Sequence, residues 1–170
     1  MQTQSVKFHS LRYSDIRTYL VAAAFVAGNI VLPQLCHLIP DGGRILLPIY
    51  FFTLVAAYKY GWRAGLLTAV ASPVVNSLLF GMPAAAVLPA ILLKSVVLAV
   101  VAGAVAARFR MAKLWMLAVV VLGYQVIGTL GEWAIVGNLY AATQDLRMGL
   151  PGMLMQIVGG VVVINMLNRK

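Results

Sequence analysis

At 170 residues, 62% of them hydrophobic and only 10% charged, with a mean hydropathy of +0.94, the chain cannot present a surface suited to water; soluble domains carry about 25% charged residues. Six membrane-spanning helices of about 20 residues would use about 120 of these positions, and the remainder is too short for a separate folded domain. The net charge of +9 comes as short basic clusters between apolar runs rather than as an aromatic-interleaved stripe, which excludes a nucleic-acid partner and points to membrane topology.

In chain order, residues 1–17 form a polar, basic N-terminal tail. The first apolar run, residues 18–36, is longer than the about 7–15 residues of a signal-peptide core, and no convincing small-residue cleavage site follows it. It reads as span 1. Pro40-Asp41-Gly42-Gly43 is a turn. Span 2 covers residues 45–60, with Pro48 near its start, where a missing N–H does least harm. Gly61-Trp62-Arg63 turns into span 3, residues 64–80, and Gly81-Met82-Pro83 turns into span 4, residues 85–107. Arg108, Arg110 and Lys113 separate it from span 5, residues 114–137; a polar connection over 138–147 leads to span 6, residues 148–167. The expected fold is a single-domain, all-α integral membrane protein, a compact bundle of six transmembrane helices.

Six spans place both termini on one side. If that side is the cytoplasm, it carries Lys7, Arg12, Arg17, Lys59, Arg63, Arg108, Arg110, Lys113, Arg169 and Lys170, and the outside carries only Arg44 and Arg147. Ten against two fixes cytoplasmic termini by the positive-inside rule and suits anionic inner-leaflet lipids. The expected location is a bacterial cytoplasmic membrane.

The chain has no G-x-x-x-x-G-K-[ST], no H-E-x-x-H, no G-x-S-x-G and no paired acids on one helix. The single cysteine, Cys36, excludes an internal disulfide and a cysteine-cluster metal site, and His9 and His37 fall in opposite water-facing compartments. No enzyme, cofactor or metal is expected. Cys36-His37 beside Pro40 has the softness of a metal-binding pair, but ordinary loop residues are the better reading.

Two charges fall within spans, Lys94 and Glu132, each costing about 2.5–3.5 kcal/mol on the lenient insertion scale. Side chains lean toward a helix's N-terminus, so Lys94 on inward-running span 4 leans outward and Glu132 on outward-running span 5 leans inward. Their heads can meet, either as a structural ion pair or as the lining of an outward-facing substrate cavity. Gln125, Gly128 and Glu132 share one face of span 5; Thr68, Ser72 and Asn76 share one face of span 3; Gly152, Gln156 and Gly159 lie on one side of span 6; and span 1 offers Asn29. Such faces point into the bundle, for interhelical hydrogen bonds or for a solute. Asn76, Lys94, Glu132 and Gln156 fall in the outer half, which favours a solute pocket there, with Arg44, Tyr50, Trp133 and Asn138 at its mouth; the aromatics among them also suit interfacial anchoring. Ala23 and Ala27, like Ala102 and Ala106, make small-xxx-small pairs that allow close helix approach.

This layout resembles the substrate-binding S component of energy-coupling factor (ECF) vitamin transporters. The resemblance covers most of the chain. It rests on six compact spans, on Ala23-Phe25-Ala27 in an A-x-x-x-A frame, on Leu47-Pro48 with Tyr60-Gly61-Trp62-Arg63-Ala64-Gly65-Leu66, and on Asn76 with Gly81-Met82-Pro83. It implies a small vitamin or related micronutrient bound between the outer loops and the last three helices. It further implies docking through Ala23 and Ala27 onto a membrane coupling subunit driven by two ATPase subunits. No vitamin-specific signature is present. The rival is a six-spanning cell-shape scaffold of the MreD type; such proteins often carry an acid in the third-helix region, where this chain has Ser72-Pro73 and Asn76.

Overall fold

The computed structural model describes residues 10–168, and all regular structure among them is helical. Lys7, His9, Arg169 and Lys170 lie outside the described residues. Helix α1 runs over Ile16–Cys36 and is capped by Asp15, whose carboxylate accepts the Arg17 N–H at 2.9 Å.

The expected second span is not one helix. Leu47 takes a left-handed backbone (φ 47°), and Pro48 after it has no N–H to continue a ladder. The segment is therefore divided into α2 (Gly42–Leu46), a 3-10 turn (Pro48–Tyr50) and the ten-residue α3 (Phe51–Tyr60). At 1.5 Å per residue α3 is about 15 Å long, half of a hydrocarbon core of about 30 Å.

The remaining long helices match the reading to within a few residues. They are α4 (Trp62–Phe80), α5 (Leu88–Phe109, with Pro89 in its first turn) and α6 (Leu114–Val136). Short helices α7 (Leu139–Ala142) and α8 (Gln144–Met148) lead into α9 (Leu150–Asn168). Both α4 and α6 stop where a glycine adopts positive φ, Gly81 at 66° and Gly137 at 70°. Five helices, α1, α4, α5, α6 and α9, are long and apolar enough to cross a membrane.

Helix α3 is the centre of the bundle. Eight of its ten residues are buried, and α1, α4, α5 and α9 pack around it. Its C-terminal end gathers one face of the molecule. The Leu11 N–H donates to the Tyr60 carbonyl at 3.3 Å, Lys59 donates to Asn168 Oδ1, and the Tyr58 hydroxyl donates to the Met111 carbonyl at 2.6 Å. Both described ends of the chain and the α5–α6 turn therefore lie at that face. At the opposite face sit α2, the α4–α5 connection, α7 and α8.

Polarity is reversed relative to a water-soluble bundle. Thr18, Asn29, Thr53, Thr68, Ser72, Asn76, Lys94, Ser95, Gln125 and Gln156 are fully or almost fully buried. Leu122, Val126 and Leu130 on α6, and Leu154, Val158 and Val162 on α9, form exposed stripes at i, i+4 spacing. In water such stripes would drive aggregation; in a bilayer they are the lipid-facing surface, and many of the polar groups inside hydrogen-bond to one another.

Close packing of α3 on α4 depends on Gly65, where a Cβ would meet the Cβ of Ala57 and lie 2.6 Å from its Cα. Gly65→Ala is expected to destabilise the purified protein by about 1–3 kcal/mol through overpacking. The loss should register as a lowered midpoint in thermal unfolding, and adding Ala57→Gly should recover part of it.

Candidate functional site

Because α3 begins halfway along the bundle, the space beyond its N-terminus is left open. It forms a cavity of about 760 Å³ at the face opposite the chain ends, within the range of about 300–1,000 Å³ usual for small-molecule sites. Pro48 and Tyr50 form part of its wall from the break before α3, Asn76 from α4, Lys94 from α5, Glu132 from α6 and Asp145 from α8. Irregular backbone at membrane depth is tolerated where it lines such a cavity.

The charges at its wall form a triad. Lys94 Nζ stands 2.5 Å from Glu132 Oε2 and 2.7 Å from Asp145 Oδ2. The lysine side chain is 2% exposed, and the two acids are 16% and 18% exposed. The opposed leans of the α5 and α6 side chains bring Lys94 and Glu132 together at one depth. Gly128 makes room for the lysine stem, since a Cβ there would lie 2.6 Å from Lys94 Cγ. Asp145 was not anticipated from the sequence, where it falls in a polar connection with no periodicity to place it. The available signal was scarcity: it is one of four acids in the chain.

Asn76 is 1% exposed. Its Nδ2 donates to the carbonyls of Asn29 and Ser72, each at 2.9 Å, while its Oδ1 has no hydrogen-bond partner. Arg44 belongs to the cavity wall, pairing with Asp41 at 3.5 Å at the exposed rim.

Four expected site residues stand apart from the wall; one of them, Asn138, is exposed and caps α7, its Oδ1 accepting the Ala141 N–H at 3.2 Å. Gln125 and Gln156 are buried in a hydrogen-bonded chain through Tyr124, whose hydroxyl donates to Gln156 Oε1 at 3.0 Å and accepts from Gln125 Nε2 at 3.3 Å. Gln156 Nε2 points to the Leu47 carbonyl at 3.5 Å, bracing the break before α3 from the α9 side. Trp133 is 46% exposed on the outer surface of α6. Ala23 and Ala27 are both exposed on α1, where they line a shallow apolar groove of about 420 Å³ shared with Leu67 and Ala71 of α4. Cys36 is a free, buried thiol, and among the described residues no three His, Cys, Asp or Glu side chains converge to hold a metal.

Comparisons of the chain with family models, with curated proteins and with solved structures return no match. The chemistry of the site therefore rests on its own geometry. One cavity wall thus carries a lysine held between two carboxylates and an asparagine whose carbonyl oxygen has no donor.

The triad changes what substitution should do. Lys94→Met leaves Glu132 and Asp145 facing each other unpaired and is expected to cost about 3–5 kcal/mol. The double change Lys94→Met with Glu132→Gln still strands Asp145, so it should remain destabilised. Adding Asp145→Asn should return stability to near the parent value. Thermal unfolding of the three variants in lipid nanodiscs measures the series.

Proposed function

We propose that this chain is the substrate-binding S component of an ECF-type transporter in a bacterial cytoplasmic membrane. It would capture a small vitamin-like solute from outside and depend on a membrane coupling subunit and two ATPase subunits for uptake. The observation that carries this reading is a ligand-sized, charge-lined cavity at one end of an apolar helical bundle whose sequence has no nucleotide-binding motif. Accumulation against a gradient then needs an energy source in trans.

Two further features support it. The half-length α3 gives the chain a sixth leg between its five long helices, consistent with both termini on the cytoplasmic side. Arg12, Arg17, Lys59, Arg63, Arg108, Arg110 and Lys113 all belong to the ends of elements at the face opposite the cavity, so the positive-inside rule turns the cavity outward. The second feature is the groove carrying Ala23 and Ala27, whose small side chains allow another helix to approach α1 closely.

Reporter fusions after Arg110 and at the C-terminus should read cytoplasmic, and those near Gly42 and Gln144 external; an external C-terminus would overturn the orientation. Affinity purification from host membranes should bring down two ATPases and a membrane subunit, whereas recovery with wall-synthesis factors would favour the scaffold reading. Ala23→Trp and Ala27→Trp should abolish uptake and complex formation while the isolated protein still binds solute. Unchanged uptake and complex formation in both variants would remove α1 as the docking helix.

A further inference from the structure

The acids of this chain are not spread at random. It has four, against thirteen Lys and Arg. Three of the four, Asp41, Glu132 and Asp145, line the cavity, but only two of the thirteen basic residues, Arg44 and Lys94, do so. The wall thus carries a net charge of −1, with three carboxylates against two cations and His37 taken as neutral, in a protein of net charge +9. Topology accounts for the scarcity of Lys and Arg at this face but not for the gathering of the acids, because the positive-inside rule acts on Lys and Arg and only weakly on acids.

Hydrogen-bonding capacity is divided in the same direction. Several donors around the base of the cavity are engaged: Lys94 directs its ammonium at two carboxylates with a third N–H to spare, Asn76 Nδ2 bonds two carbonyls, and the Phe52 N–H at the start of α3 bonds Asn29 Oδ1 at 3.2 Å. Acceptors are in surplus. Two carboxylates share one ammonium, and Asn76 Oδ1, on a side chain 99% buried, has no donor at all. A buried carbonyl oxygen left without a donor carries a desolvation cost that a ligand N–H would relieve. Tyr50, 2% exposed and on the same wall, adds an aromatic ring of the kind that attracts cations.

We infer that the cavity selects a small organic cation, a solute whose positively charged nitrogen sits against Glu132 and Asp145 with an N–H or polarised C–H toward Asn76 Oδ1. This rests on the reading of the cavity as a solute-capture site and gives that solute its charge class. An anion would have to compete with both carboxylates for Lys94 and would face the uncompensated acid as well.

The test uses the full-length protein in nanodiscs of zwitterionic phosphatidylcholine and three probes of similar size, benzyltrimethylammonium, benzyl alcohol and benzoate, at equal millimolar concentration. Thermal unfolding should shift upward by about 3 °C with the cation and stay unchanged with the other two. Asp145→Asn should weaken the cation response about tenfold, the loss of one charge-assisted contact. Asp41→Asn, at the exposed rim and away from the triad, should weaken it by about two- to threefold without disturbing the fold. Stabilisation by benzoate, an equal response to all three probes, or no response to any of them would overturn the assignment. Recovery of the ATPase subunits on affinity purification reports separately on the capture reading, so the charge class can fail while that reading stands.

Discussion

Asn29 is the residue on which the arrangement depends. From the middle of α1 its Nδ2 donates to Thr53 Oγ1 at 3.1 Å and to Ser72 Oγ at 3.0 Å, its Oδ1 accepts the Phe52 N–H, and its carbonyl accepts from Asn76. A helix that begins at membrane depth exposes N–H groups with no partner in their own helix. In hydrocarbon each would cost several kcal/mol. One amide side chain meets part of that need and ties α1, α3 and α4 together. The half-length helix is stable because its start is held by protein, and the cavity exists because that helix is half-length.

Hydrophobic association cannot assemble these helices against one another in lipid, because the tails are as apolar as the leucines. Cohesion therefore comes from close packing and polar contacts. Gly65 against Ala57 and Gly128 against Lys94 supply the first. The Asn29 hub supplies the second, together with the Tyr124–Gln156 bond and the bond from Tyr58 to the Met111 carbonyl. The buried charges follow the same economy. Lys94 is tolerable at its depth because two carboxylates neutralise it, one from a neighbouring helix and one from α8 in the loops above.

The end of α4 was legible at Gly81-Met82-Pro83, and α6 ends at the expected Gly137, whereas Asp15, which caps α1, fell inside the expected tail. The break at Leu47-Pro48 was not legible, since hydropathy runs on through it and a proline in a first turn looks the same whether a helix or a 3-10 turn follows. The meeting of Lys94 with Glu132 followed from side-chain direction, but Asp145 did not, because nothing in a loop's sequence says which cavity it covers. Trp133 was misplaced for a simple reason. It is the neighbour of Glu132, and adjacent residues on a helix face directions about 100° apart. Gln125 does share the face of Glu132, yet seven residues at 1.5 Å put it about 10 Å deeper, below the cavity and within the hydrogen-bonded chain of Tyr124.

The cavity and the alanine groove are two sides of one helix pair. Leu67 and Ala71 of α4 line the groove with Ala23 and Ala27 of α1, while Ser72 and Asn76 of α4 meet Asn29 of α1 on the buried side. Asn76 is at once a wall of the cavity and a clamp on the backbone of α1, through the Asn29 carbonyl. Its Oδ1 is buried and has no hydrogen-bond partner. A ligand that engages it is one side chain away from the backbone of the helix that carries Ala23 and Ala27. The same polar network that makes a half-length helix permissible in the membrane thereby joins the proposed solute cavity to the proposed docking surface.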